Sequence, residues 1–428
     1  MSDKLRFFLR RLGERLWFKP LFVCVLSILM AFAAHAVDGF EVSEKAPDVD
    51  LDSIEMLLEV LSASMLVMAV FAVGSMIGAY QSASDSATPR SFILVVADDL
   101  SQNALSTFIG AFIFSIVAQV ALMNGYYGQG GRFTLFVLTI LVFALVIMNF
   151  IRWVDGIARL GRLSTTTAKV EQATAEALQR RAEKPFLGGV QSQHLADGLP
   201  VFATEVGFIQ RIDMEVLQTV AKEGGVSFEL AVLPGSFTTP DRPLAYIRKD
   251  REGAAQPLEL ESIVRAFHIG DNRTFDDDPR FGLITLSEIA SRALSPAVND
   301  PGTAIEVTGI FVRLFTDLAQ EAREHPSPEV EFDRVAVPEL PSSDLFEDAF
   351  HAIARDGAGT IEVVLRVLRA LDTLASIGDE DMQAAARDAA QRVIAHAEQA
   401  LALPSDVARV RAASKLAGAA GAEAQAGS

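Results

Sequence analysis

The 428-residue chain has one cysteine, two tryptophans and four tyrosines. A single thiol, Cys24, excludes an intrachain disulfide, and its place inside an apolar run says nothing about compartment. Catalytic signatures are missing as well: there is no Walker loop, dinucleotide glycine fingerprint, zinc spacing or nucleophile triad. The histidines His35, His194, His268, His325, His351 and His396 stand singly, with no two spaced as a metal pair on one helix turn. Each reads as a satisfied or solvent-facing side chain, so neither an enzyme nor a resident cofactor is expected.

Basic charge is scarce. There are 37 Lys/Arg against 55 Asp/Glu, a net charge of −18. Residues 1–160 carry 11 Lys/Arg against 14 Asp/Glu, or −3, which leaves −15 of that −18 for the remainder. An acidic soluble part repels nucleic acid and anionic headgroups, which excludes a nucleic-acid role.

Charge is also absent where it matters most. No charged residue lies between Glu59 and Asp85, and Leu105–Asn124 is apolar over about 20 residues, roughly the thickness of a bilayer's hydrocarbon core. Both stretches read as membrane helices. A further apolar run, Pro20–Val37, follows Lys4, Arg6, Arg10, Arg11, Arg15 and Lys19, and another runs from about Phe133 to Ile151 and ends at Arg152, Trp153 and Arg159. Basic and aromatic flanks mark cytoplasmic ends, so four spans put both termini in the cytoplasm. Ala34-His35-Ala36 has the small-x-small form of a leader cleavage site, but the basic region is long for a leader, and an uncleaved anchor is the preferred reading. Asp38–Glu59, with eight acidic residues and one lysine, forms an external loop running into the second span.

Within the second span, Gly74, Gly78, Ser82 and Ser86 recur every four residues and form one ridge of small side chains on a helix. Such a ridge either packs helices closely or lines a narrow path at the centre of an oligomer. It runs into a polar cytosolic elbow that includes Gln81, Asp85, Pro89 and Arg90, followed by a short apolar patch too brief to span.

The chain therefore divides into a four-helix transmembrane domain (1–160), a helical linker (161–189), a small β-rich module (190–250), a helical cytosolic domain (251–416) and a disordered tail (417–428). The fold class is an α-helical membrane bundle followed by an α+β cytosolic region. Strand-like segments at 199–202, 207–213, 226–233 and 244–247 predict a small barrel or sandwich, interrupted by a helix at 214–222. Helices follow at 259–267, 279–294, 301–324, 344–377 with a break at Asp356-Gly357-Ala358-Gly359, 380–401 and 405–416, with a short strand at 330–337.

Two soluble segments carry candidate chemistry. Arg273, Asp276, Asp277 and Asp278 offer oxygen ligands for a hard cation, yet the spacing matches no EF-hand, and Asp278-Pro279 reads equally as a helix cap followed by Pro in the first turn. Whether a metal binds stays open. Arg292, Ser295, Asn299 and Asp300 form a loop that opens a helix, as an anion site would, but Asp300-Pro301 is again cap followed by Pro, and its charge competes with an anion. Together these residues read as one rigid polar hub in which the two Asp-Pro starts face each other.

The Pro89-Arg90 connection, Phe108-Ile109-Gly110-Ala111-Phe112, the segment Gly207–Asp213 and above all Ala293-Leu294-Ser295-Pro296-Ala297-Val298-Asn299-Asp300-Pro301 resemble a bacterial predicted-membrane-protein family, domain of unknown function 2254. The similarity covers the chain from the first span to about Leu374 and implies the membrane topology; it brings no activity. Thr88 stands where the resemblance leads one to expect Ser. A weaker likeness links Val232–Phe237 and Pro243–Ile247 to biotinyl/lipoyl-type modules, but no lysine lies between Leu230 and Tyr246, so carrier function is rejected and only the shape is kept.

The leading functional reading is a homo-oligomeric channel or transporter-like protein gated by its cytosolic domain. Its partners are the lipid bilayer, further copies of itself and a cytosolic protein or small-molecule effector. The alternatives are a membrane-anchored scaffold and a phosphate- or metal-dependent membrane enzyme.

Overall fold

The structure is a computed structural model that describes residues 17–36, 38, 47–96, 99–157, 162–193, 198–249, 259–325 and 329–413, with side chains at 83–86 and 95–100 left aside. It divides into two compact units, residues 1–166 and 167–428.

The first unit holds α1 (Phe18–Ala36), α2 (Leu51–Ser86), a 3-10 turn at Pro89–Ser91, α3 (Phe92–Val96), α4 (Asp99–Met123) and α5 (Gln129–Ile157). By length and composition, α1, α2, α4 and α5 are long and apolar enough to cross a membrane. A span of 36 residues in α2 is roughly 54 Å of helix, well beyond a hydrocarbon core of about 30 Å. The connection expected to open at Gln81 is therefore helical through Ser86, and the chain turns only at Ala87-Thr88. Thr88 is extended (φ −127°, ψ 154°) because the ring of Pro89 disfavours helix in the residue before it.

The central helix is α4, which packs against α1, α2 and α5. Its apolar surface forms two clusters: Phe114, Ala118 and Leu122 meet Ala31, Ala34, Ile54, Leu58 and Leu135, and Phe108 and Ala111 meet Leu61, Met65, Ala69, Val146 and Trp153. The close crossing is at Gly110, where a Cβ would overlap Val23 of α1 and stand 3.2 Å from Ser27 Oγ. Without a side chain there, Val23 and Ser27 of α1 pack directly on the α4 backbone.

The second unit contains α6 (Leu163–Glu183), which begins just before the boundary, then β1 (Gly189–Gln191), β2 (Leu199–Phe202), β3 (Gly207–Ile212), α7 (Met214–Gly224), β4 (Val226–Leu230), β5 (Phe237–Thr238) and β6 (Pro243–Lys249). There follow α8 (Leu260–Arg265), β7 (Phe267–Gly270), α9 (Pro279–Ala293), α10 (Pro301–Glu324), β8 (Phe332–Val337), α11 (Ser342–Asp356), α12 (Ile361–Ile377), α13 (Glu380–Ala400) and α14 (Pro404–Ala413). The unit is a mixed α/β region. Its strands form a five-stranded sheet of order β1-β8-β4-β6-β2 and a three-stranded sheet of order β5-β3-β7. Because β8 pairs in parallel with both β1 and β4, the larger sheet recruits residues 332–337 and does not close within 190–250. The smaller sheet likewise takes β7 from the segment expected to be helical up to Phe267, whose paired partner is Ile212. The strand expected at 330–337 forms as β8, but its pairing with β1 and β4, like that of β7 with β3, is long-range and encoded by no local pattern.

Val226, Phe228, Leu230, Leu244, Val335 and Val337 form the sheet core under Leu217 and Ala221 of α7. The helical layer buries Phe311, Phe315, Phe346 and Phe350 between α10 and α11. Within the second unit α6 buries Val170, Thr174, Ala177, Leu178, Arg181 and Ala182, with Thr174 set over Gly282 of α9 and Glu171 paired with Arg313 at 2.8 Å. The tail expected to be disordered lies outside the described residues.

Candidate functional site

In the membrane unit, Gly74, Gly78 and Ser82 are exposed, and a Cβ built on either glycine would meet nothing within 4 Å. Among the described residues neither glycine meets another helix, and the face of α2 that does pack is Ile54, Leu58, Leu61, Met65, Ala69 and Ala72. Ser64 and Ser75 return their hydroxyls to their own helix, at Val60 O (2.6 Å) and Phe71 O (2.9 Å). At the elbow, Ser91 donates through both N–H and Oγ to Thr88 O (3.1 and 2.8 Å), and α3 folds back so that Phe92 meets Tyr80 edge-on at 5.7 Å. Gln81, Pro89 and Arg90 are exposed, whereas the side chains of Asp85 and Ser86 lie outside the described residues.

In the second unit, charge concentrates where the loop between β7 and α9 meets α6, β3 and α11. Asp278 starts α9, accepting from Phe281 N–H at 3.2 Å, with Pro279 supplying a first-turn residue that needs no N–H partner. The same carboxylate is gripped in bidentate fashion by Arg273, at 2.6 Å from Nε and 2.9 Å from Nη2. Asp278 is buried, and the Arg273 guanidinium also lies 5.5 Å from the Phe281 ring centre. Arg280, one residue past Pro279, reaches α11 and donates to Asp344 (2.6 Å) and Asp348 (2.5 Å). From α6, Arg180 donates to the Asp276 carbonyl and Arg181 to the Pro185 carbonyl at 3.1 Å. Burial pushes Arg181 down to about 10, against the pull of Asp277 and Asp278. Burial also raises the Asp277 carboxyl, and the positive charges of Arg211, Arg180 and Arg181 only partly offset it.

This arrangement is an arginine–carboxylate junction. Both oxygens of Asp278 face nitrogen donors, and among the described residues no group of three His, Cys, Asp or Glu side chains could hold a metal ion.

The second half of the expected hub lies elsewhere. Asp300 caps α10, accepting from Thr303 N–H (3.2 Å) and Thr303 Oγ1 (2.6 Å), bonds that hold its carboxyl below the usual carboxylate range. Asn299 takes the left-handed conformation (φ 51°), Ser295 accepts from Asn299 N–H at 2.8 Å, and Arg292 stands exposed in the last turn of α9. The 15 residues of α9, roughly 22 Å of helix, separate Asp278 from this loop. The two Asp-Pro starts thus lie at opposite ends of α9 and do not face each other.

Sequence reasoning missed Arg180, Arg181, Arg280, Asp344 and Asp348. The spacing of Asp344 and Asp348 does put two carboxylates on one helix face. Their partner, however, is 64 residues upstream of Asp344, beyond the reach of any spacing rule.

A family model described as "Predicted membrane protein (DUF2254)" matches residues 13–373. An uncharacterized protein of Mycobacterium bovis and one of Mycobacterium tuberculosis are each 34% identical over 129 residues, which is 30% of this chain and 25% of the relative. The matched stretch thus spans about a quarter of the length of these curated relatives. No solved structure matches. With four candidate spans leading into a mixed α/β unit and a family match over most of its length, the chain belongs to the predicted membrane protein family DUF2254.

Proposed function

We propose that this protein is a homo-oligomeric channel or transporter-like protein of the bacterial inner membrane, with both termini in the cytoplasm. In this reading the α2 helices of several copies meet along Gly74, Gly78 and Ser82, and the cytosolic unit acts through the elbow at Ala87–Ser91 as a gate. The observation that carries it is the openness of Gly74 and Gly78. Glycines at four-residue spacing let another backbone approach, and here a Cβ on either would meet no described residue within 4 Å. Phe108, Phe114, Leu58, Leu61 and Trp153 fill the interior of the single bundle. A path, on this proposal, therefore runs between copies. The cytosolic junction supports the gating part: Arg180 ties α6 to the loop before α9, and Arg280 ties α9 to α11, so on this proposal a displacement at one is felt at the others. The proposal assigns no catalytic step.

The alternative is a membrane-anchored scaffold. The self-satisfied hydroxyls of Ser64 and Ser75 favour it, because such serines need neither water nor a permeant solute. Ion and solute flux into liposomes containing the purified protein separates the two. Flux that Gly78→Leu abolishes in a protein of unchanged fold supports the path; absence of flux under varied voltage, pH and osmotic load favours the scaffold.

A further inference from the structure

We infer that α1 is retained as a structural helix of the mature protein, because packing on one side of the Ala36–Val37 bond and a carboxylate clasp on the other hold the Ala34-His35-Ala36 sequence away from a leader peptidase.

The sequence motif works through geometry. Small residues separated by one position share a face only in extended chain, whereas on a helix Ala34 and Ala36 point about 200° apart. Here α1 is helical through Ala36, and Ala34 is 0% exposed, packed in the cluster that contains Phe114 and Ala118. Recognition would require unwinding the last turn and drawing Ala34 out of that cluster.

Both flanks resist this. Before the bond, the Tyr127 hydroxyl donates to the Ala31 carbonyl at 2.9 Å, and Ala31 is itself buried. Farther back, Val23 and Ser27 fill the space that Gly110 leaves open on α4. Beyond the bond, the Asp38 carboxylate accepts from Gly128 N–H (2.8 Å) and Gly131 N–H (2.6 Å) at the start of α5. A carboxylate there satisfies free helix N–H groups and complements the helix dipole. His35 completes the clasp, its ring 4.2 Å from that of Tyr126 and its Nδ1 3.6 Å from Asp38 Oδ2. A leader that departs would leave an apolar slot along α4. This helix has partners that are specific to it.

The test is the intact mass, with N-terminal sequencing, of the full-length protein purified from bacterial membranes. The expected species retains residues 1–36, and a chain beginning at Val37 in the wild type overturns the inference. Two variants test the cause. Gly110→Val, which forces α1 off α4, and Asp38→Ala, which removes the clasp without touching the apolar contacts, are each expected to release a fraction that begins at Val37. If both variants accumulate at full length with no such fraction, protection by packing and clasp is overturned. If Gly110→Val does not accumulate, Asp38→Ala alone decides.

Discussion

Arg273 reaches forward five residues to hold Asp278 at 2.6 and 2.9 Å, while Asp278 also caps the helix that follows. One buried carboxylate thus fixes a loop, a helix start and an arginine. Removing one partner leaves the other charge buried without compensation, a loss of about 3–5 kcal/mol. Asp278→Ala is expected to lower the thermal midpoint of the second unit within the full-length protein, and Arg273→Ala to do the same. The double variant should cost less than the sum of the two, as a double-mutant cycle would measure.

Gly235 closes over the same carboxylate. Its φ is +90°, and a Cβ there would overlap the Asp278 side chain. Gly235→Ala is therefore strained by both backbone and contact, and a destabilisation of about 1–3 kcal/mol is expected in denaturant titration.

The pH dependence of stability carries the sign of Asp277. Burial raises its folded pKa above the ordinary value of 3.8, so the folded state binds this proton more tightly than the unfolded chain. The stability that follows is fully present below the unfolded value and is lost as pH rises through the folded one. At neutral pH the charged form is a burden. Asp277→Asn is thus expected to raise the melting temperature near pH 7 and to bring little or no gain near pH 4; a loss at pH 7 would mean that the charge is needed by its arginine neighbours.

Gly110 and Gly78 make opposite demands. Gly110→Leu meets Val23 and Ser27 within the chain and is expected to disrupt the fold of the bundle itself. A Cβ at Gly78 would meet nothing within 4 Å, and Gly78→Leu is expected to leave the single chain folded while disturbing contacts between copies. Thermal stability and particle mass in detergent, measured side by side, distinguish the two.

The parts legible in the sequence were those written locally. Apolar runs of bilayer length marked α1, α2, α4 and α5, and Asp-Pro starts marked α9 and α10, whose caps the geometry bears out. The polar run at 163–183 was readable as a helix, yet not the contact of Thr174 with Gly282 that joins it to the second unit. What stayed hidden depends on residues far apart in the chain. Pairing of β8 with β1 and β4 spans more than a hundred residues, and Arg280 finds its carboxylates on a helix that begins at Ser342. The ridge on α2 was visible as a pattern, but the close contact within the chain falls at Gly110, in a less regular setting. Spacing identifies a surface without saying which neighbour it meets.

Cross-linking between copies at Gly78 in native membranes decides whether the α2 ridges of neighbouring copies meet. In a Cys24→Ser background, Gly78→Cys is expected to form a covalent dimer on mild oxidation, whereas Ala72→Cys, on the buried face of α2, is expected to remain monomeric. A Gly78→Cys protein that stays monomeric while correctly folded would contradict an assembly built along this ridge, and with it the proposed path between copies.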